Sequence, residues 1–91
     1  MTSEELKKRF PIGKLYRISF TDKSKTFEAF LNGKKYIVLN CKNTIFLLVD
    51  IAPYITSYSE DSEYIQLDVL FSTGELGEIY FIKPAELRYI Q

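Results

Sequence analysis

Histidine and tryptophan are absent from this 91-residue chain, and cysteine occurs once, as Cys41. Without histidine the chain cannot form a Ser-His-Asp or Cys-His nucleophile, and it lacks the usual acid–base group near neutral pH. A single cysteine excludes an internal disulfide and a multi-cysteine metal site, so we expect a reduced, cytoplasmic protein. These absences favour a protein that is not an enzyme, and no motif indicates a cofactor or a metal ion.

Long apolar stretches are missing as well. The longest unbroken apolar run spans only residues 45–49, far short of the ~20 residues that a membrane helix requires. The hydrophobic fraction is 46%, which suffices for a core, and a chain of this length fits one domain. We therefore predict a single domain over residues 1–91 that does not enter a membrane.

The first ten residues predict a short helix. Thr2 or Ser3 can cap its N-terminus, and two glutamates follow in the first turn, where acidic groups suit the helix dipole. Leu6 and Phe10 lie four residues apart and can share a buried face. Pro11 ends the helix because the residue before a proline is pushed out of the α region.

Residues 14–91 show short segments with alternating apolar and polar side chains, which is typical of strands with one buried face. Asn32-Gly33 favours a type I′ hairpin turn, because both residues tolerate positive φ. Hairpin-linked strands without crossover helices predict a mostly β fold: a small antiparallel barrel or strongly curved sheet with a short N-terminal helix. The predicted strands span residues 15–20, 26–31, 36–41, 44–51, 64–71, 78–82 and 88–91.

The sequence GEIYFIKPAELRYIQ, residues 77–91, resembles the end of SH3-like small barrels: a hairpin strand, a proline-led turn and a short closing strand. The resemblance implies that the closing strand pairs with the first strand of the barrel. The start of the chain departs from the signalling SH3 type, since it has no ALYDY-like stretch and no tryptophan. Recognition of proline-rich peptides is therefore not implied.

Two groups of carboxylates were candidates for chemistry. Asp68 and Glu78 are placed to face each other across the last long hairpin, but their alternating positions are typical of a solvent-exposed strand face. Glu60, Asp61 and Glu63 lack the glycine and the regular spacing of a calcium loop. We interpret both groups as surface charge and predict neither a catalytic residue nor a metal ligand.

Tyrosines and charge asymmetry indicate protein binding. Residues 1–42 carry ten basic and four acidic side chains, whereas residues 43–91 carry two basic and eight acidic ones, and such asymmetry can mark a partner surface. Tyrosine is enriched at interfaces because it offers rigid contact area with a polar tip. The alternative, that these rings only pack the ends of the barrel, stays open. The candidate partner-binding residues are Tyr54, Tyr58, Glu60, Asp61, Tyr64, Tyr80 and Tyr89.

The leading hypothesis is a non-catalytic protein-binding module that acts as an adaptor, as an inhibitor of a larger protein or as a self-associating subunit. A composition rich in lysine, isoleucine, tyrosine and asparagine fits an AT-rich bacterial or phage genome. A second hypothesis is nucleic-acid binding, because hairpin geometry brings several cations to one end of the barrel; its residues are Arg17, Lys23, Lys25 and Lys42. A third is a barrel that binds a small ligand or nucleotide.

Overall fold

The computed structural model describes residues 1–54 and 63–90 of the chain. It confirms the predicted fold class: one short N-terminal helix accompanies seven antiparallel strands in a sheet that curls into a half-barrel. A 3₁₀ helix, Pro84–Glu86, precedes the last strand. The elements are α1 (Ser3–Arg9), β1 (Leu15–Ile18), β2 (Thr26–Leu31), β3 (Lys35–Asn40), β4 (Phe46–Pro53), β5 (Ile65–Phe71), β6 (Leu76–Ile82) and β7 (Leu87–Ile90).

Helix α1 has the cap and the buried face that its sequence predicts. The Thr2 hydroxyl accepts a hydrogen bond from the Glu5 backbone N–H at 3.2 Å, which satisfies one of the free donors of the first turn. Leu6 and the residue after the helix, Phe10, are both buried in the core. The helix packs against β4 and so covers part of the half-barrel.

The strand order is β3-β2-β6-β5-β4-β1-β7, so β3 and β7 form the two edges of the sheet. Strand β7 pairs with β1 over four residues, from Leu15 opposite Ile90 to Ile18 opposite Leu87. This is the pairing of first and last strands that the residues 77–91 led us to expect. The Ser19 N–H donates to the Glu86 carbonyl rather than to a neighbouring strand, and β1 accordingly ends two residues before its predicted end.

The Asn32-Gly33 turn joins β2 to β3 as predicted. Both residues have positive φ, 53° and 68°, and the Lys34 N–H donates to the Leu31 carbonyl. Positive φ at both central positions is the requirement of a type I′ turn. The turn fixes the pairing of β2 with β3 along all six residues of each strand.

Two β-bulges interrupt the alternation that the sequence suggests. In β4, Leu48 lies opposite Val69 while Asp50 lies opposite Asp68, so Val49 is an extra residue. Because of this insertion, Val49 and Asp50 are both exposed, although they are neighbours in a strand. A bulge adds one residue to one strand, bends it and increases its twist.

The second bulge lies in β6. Ile79 pairs with Leu67 and Ile82 pairs with Ile65, so two β6 residues, Tyr80 and Phe81, occupy the space opposite one residue of β5. Both isoleucines are buried. The two aromatic side chains between them therefore lie together on the outer face of the sheet.

One hydrophobic cluster fills the concave side of the half-barrel. The buried members of the cluster are Leu6, Phe10, Tyr16, Ile18, Phe27, Ala29, Cys41, Phe46, Leu48, Ile51, Ile65, Leu67, Val69, Phe71, Ile79, Ile82 and Leu87.

Within the described ranges no helix is long and apolar enough to cross a lipid bilayer.

Candidate functional site

Six aromatic rings form a continuous chain of edge-to-face contacts that runs over the outer side of β3, β2 and β6 and reaches the residues just after β4 and just before β5. We call this surface the aromatic face. Edge-to-face pairs at such separations contribute about 0.5–1.5 kcal/mol each, so the rings hold one another in place. The ring centroids are separated by 5.5 Å for Tyr36–Phe30, 6.2 Å for Phe30–Tyr80, 5.6 Å for Tyr80–Tyr54, 4.9 Å for Tyr54–Phe81 and 5.8 Å for Phe81–Tyr64.

Phe81 has the least favourable backbone of the aromatic face. Its φ is 63°, in the left-handed region that costs a non-glycine residue about 1–2 kcal/mol. Its side chain is nonetheless 59% exposed, so burial in the core does not compensate for the strain. Such strained residues concentrate at binding and active sites.

A row of carboxylates borders the aromatic face. Asp50, Asp68 and Glu78 lie opposite one another on β4, β5 and β6, and Glu78 in turn lies opposite Phe30 of β2. Partial burial raises the pKa of Asp68, and the negative charges of Glu78 and Asp50 raise it further. The row therefore places negative charge beside the rings.

Carboxylates also hold two hydroxyls of the aromatic face. Tyr80 donates a hydrogen bond to Glu78, and this bond, together with burial and nearby negative charge, raises the pKa of Tyr80 to about 12. A hydrogen bond with Glu28 raises the pKa of Tyr36. The aromatic face therefore combines exposed rings with carboxylates that lie within hydrogen-bonding distance of them.

The structure brings together three of the tyrosines that the sequence singled out: Tyr54, Tyr64 and Tyr80. Tyr89 lies apart, on edge strand β7, where its ring contacts the buried Tyr16 at 5.6 Å. The remaining candidates, Tyr58, Glu60 and Asp61, lie outside the described residues.

Sequence reasoning missed the other three members of the aromatic face: Phe30, Tyr36 and Phe81. The alternation of β2 indicates that Phe30 points outward, because it shares a face with charged Glu28 and not with buried Phe27. The neighbouring strand places Tyr36 opposite Phe30. No alternation could reveal Phe81, because the bulge in β6 moves it to the outer face.

A second surface feature lies where the loop after β1 meets the turn after β3. It is a cleft of about 430 Å³, which we call the basic cleft. Three of the four cations proposed from the sequence for nucleic-acid binding line it, namely Arg17, Lys25 and Lys42, and the half-buried Phe20 lines it too. Lys23 belongs to the same loop but does not line the cleft.

Backbone hydrogen bonds fix the walls of the basic cleft. The Asn40 side-chain oxygen accepts from the backbone N–H of Lys42 at 2.9 Å and of Asn43 at 3.3 Å, which closes a tight Asx-type turn. The Cys41 N–H donates to the Lys25 carbonyl at 2.8 Å. The two loops that carry the lysines are thus tied to each other.

Arg17 also lies directly opposite Arg88 on β7. Like charges directly opposite each other on paired strands are destabilising. Between described residues, the ion pairs within 4.0 Å are Lys7–Asp50 and Lys83–Glu63, so neither arginine has a carboxylate partner there. This end of the half-barrel carries positive charge that the described carboxylates do not neutralise by direct contact.

The thiol of Cys41 lies at the base of the cleft and is buried. Burial raises its pKa, and the negative charges of Asp22 and Glu86 add to the effect. A thiol in this state is a poor nucleophile at neutral pH. The environment of Cys41 in the cleft therefore disfavours thiolate chemistry.

Comparisons with known proteins give no guide to either surface. No protein-family description, no curated protein and no solved structure gives a significant match to this chain.

Proposed function

We propose that this protein is a non-catalytic protein-binding module whose aromatic face binds a partner segment rich in arginine or lysine. Phe81 is the observation that carries the proposal. An aromatic side chain that is mostly exposed is held there by a strained backbone, and it continues a chain of five further rings. Strain of this kind persists where the local geometry serves a purpose other than stability.

The chemistry of the face favours cationic side chains. Guanidinium and ammonium groups bind over the π faces of Tyr and Phe and pair with carboxylates. Asp68 and Glu78 lie on the outer side of the sheet next to the rings, and Glu28 lies on the same face of β2 as Phe30. One arginine can therefore meet a ring and a carboxylate at the same time.

The partner is expected to be extended or loosely folded. Tyr36 and Val38 lie on edge strand β3, and each exposes half or more of its accessible surface. The face thus continues from the centre of the sheet to a free edge, and an extended peptide can follow it and add backbone hydrogen bonds along β3. A surface of this type would suit an adaptor or an inhibitor of a larger protein.

A labelled peptide of repeated Arg-Gly-Gly units tests the proposal directly. We expect its fluorescence anisotropy to rise when the protein is added, and the affinity to fall as salt increases, because the attraction is partly electrostatic. Phe81→Ala and Glu78→Gln should each weaken binding about thirtyfold, which corresponds to the ~2 kcal/mol of one interface hot spot. Leu15→Ala, which removes a comparably exposed apolar side chain on β1, is the matched control.

Two results would contradict the proposal: equal affinity for a Glu-Gly-Gly peptide, or equal losses of peptide affinity for Phe81→Ala and Leu15→Ala.

Self-association is a separate outcome, because a second copy also offers cations at its basic cleft. Light scattering after size exclusion, at low and high salt, distinguishes it. A mass that rises at low salt and is reduced by Phe81→Ala identifies a second copy as the cationic partner.

A further inference from the structure

We infer that the basic cleft binds a nucleotide unit, with a base against Phe20 and phosphates on Arg17, Lys25 and Lys42. This site is separate from the aromatic face and does not depend on the function proposed for it. The inference begins with the cleft itself, where a half-buried ring and three cations line one space of about 430 Å³. Binding sites for single-stranded nucleic acids combine these same two elements.

The second step concerns uncompensated charge. Arg17 and Arg88 lie opposite each other, and neither has a carboxylate within 4.0 Å among the described residues. The two acids whose charges act on Cys41 in the cleft already have backbone partners, since Asp22 accepts from the Ser24 N–H and Glu86 accepts from the Lys83 N–H. A bound phosphate would relieve the repulsion between the arginines without displacing these contacts.

The third step concerns polar groups. Asn40 uses its side-chain oxygen in the turn after β3, which leaves its amide N–H groups as donors toward the cleft. Asn43 and Ser24 line the same space. Amides and hydroxyls can bond to base edges as well as to phosphates, so the lining suits a nucleotide better than a bare inorganic anion.

Anisotropy of a fluorescein-labelled oligothymidylate of about 12 nucleotides, within the usual footprint of small single-strand binders, measures the inferred site. Three phosphate contacts predict a slope of log affinity against log salt of about −2. Lys42→Gln and Lys25→Gln should each weaken binding and reduce the slope by about 0.7. Lys34→Gln, which removes a lysine at the opposite end of the β2–β3 hairpin, is the matched control.

Phe20→Leu separates stacking from simple charge attraction. It keeps an apolar side chain against the core, where Phe20 packs, but it removes the ring, and we expect about tenfold weaker binding. Thymidine monophosphate and inorganic tripolyphosphate serve as competitors. Strong competition by the mononucleotide identifies a free nucleotide as the ligand, whereas weak competition identifies single-stranded nucleic acid.

Several outcomes would overturn the inference. The first is that oligothymidylate anisotropy does not change when the protein is added at about 50 mM salt. The second is that Lys34→Gln and Lys42→Gln weaken binding equally. The third is that tripolyphosphate displaces the oligonucleotide while Phe20→Leu binds it as tightly as the unmodified protein does. Circular dichroism must show that each variant is folded. Phe81→Ala, which is expected to weaken peptide binding, should leave oligonucleotide affinity unchanged, so failure of one proposal is distinguishable from failure of the other.

Discussion

Asp68 lies directly opposite Glu78 on the outer face of the sheet, and Asp50 lies opposite Asp68 on its other side. Like charges in such positions disfavour the folded state. The half-barrel therefore tolerates a row of carboxylates next to exposed rings, in which Asp50 is paired with Lys7 whereas Asp68 and Glu78 have no cation within 4.0 Å among the described residues. We take this as the cost of a surface that attracts cations.

Replacement of Asp68 by Asn should stabilise the protein at neutral pH. The pKa of Asp68 is raised in the fold, so the folded state favours the protonated form, and stability from this group is lost as the pH rises through the folded pKa. The gain from Asp68→Asn should thus be largest near pH 7 and should shrink toward the ordinary aspartate value of about 3.9. Thermal unfolding at several pH values measures it.

Glu75→Gln provides the control, because it removes one negative charge from the exposed hairpin between β5 and β6 and not from the row. Two results would contradict the conclusion that the row of carboxylates destabilises the fold. One is an equal rise in Tm for both variants, and the other is a rise in Tm for Asp68→Asn that is as large in acid as at pH 7.

Tyr80 should be among the last tyrosines to ionise. Its pKa of about 12 depends first on the hydrogen bond to Glu78, so Glu78→Gln should move the pKa toward the ordinary value of 10.0. Because the folded pKa is raised, the stability that the neutral hydroxyl contributes should be lost between pH 10 and about 12. Titration of tyrosinate absorbance measures the shift, and an unchanged curve for Glu78→Gln contradicts it.

At position 81, a glycine variant should be more stable than an alanine variant, which is the reverse of the usual order in a strand. In an ordinary strand position glycine is less stable than alanine by roughly 0.5–1 kcal/mol. At φ 63° the order should reverse, and Phe81→Gly should unfold at a higher denaturant concentration than Phe81→Ala, by about 1 kcal/mol in free energy. Both variants lose the ring, so the comparison isolates the backbone. Greater stability of the alanine variant would mean that the left-handed conformation is not retained.

Gly77 should resist substitution for a different reason. A Cβ atom at this position would overlap the ring of Phe71, which is buried and contacts Phe46. Gly77→Ala should therefore lower the free energy of unfolding by about 1–3 kcal/mol, as overpacking does. In a Phe71→Leu background the same change should cost less, and a double-mutant cycle measures the coupling. Additive effects would indicate that the ring is not the obstacle.

Local signals predicted much of this fold. The Thr2 cap, the Asn32-Gly33 turn and the proline-led 3₁₀ helix each depend on one or two residues whose backbone preferences are strong. Their positions agree with the structure to within a residue or two. The set of inward side chains on β5 was equally clear, because that strand alternates without interruption.

The outward position of Phe81 could not be predicted from the sequence, because it depends on the bulge in β6. Simple alternation places Phe81 on the same face as Ile79, whereas the extra residue in β6 separates them. The position of a bulge depends on how two strands pair over their whole length, so no local pattern contains it. The sequence accordingly singled out three of the six rings of the aromatic face. Lys25 and Lys42, which were expected at one end of the barrel because they flank turns, do line the basic cleft, whereas Lys23 does not, and the cleft itself was not predicted.

The bulge in β6 links the curvature of the sheet to the composition of its aromatic face. One inserted residue both bends the strand around the core and crowds two rings onto the convex side. If β6 paired without the bulge at its present length, alternation would turn Phe81 inward and Ile82 outward, whereas deletion of one of the two aromatic residues would keep both isoleucines inward and leave one ring between them. A related chain that lacks one residue here should therefore keep both isoleucines buried and display a single ring between them, in a straighter strand.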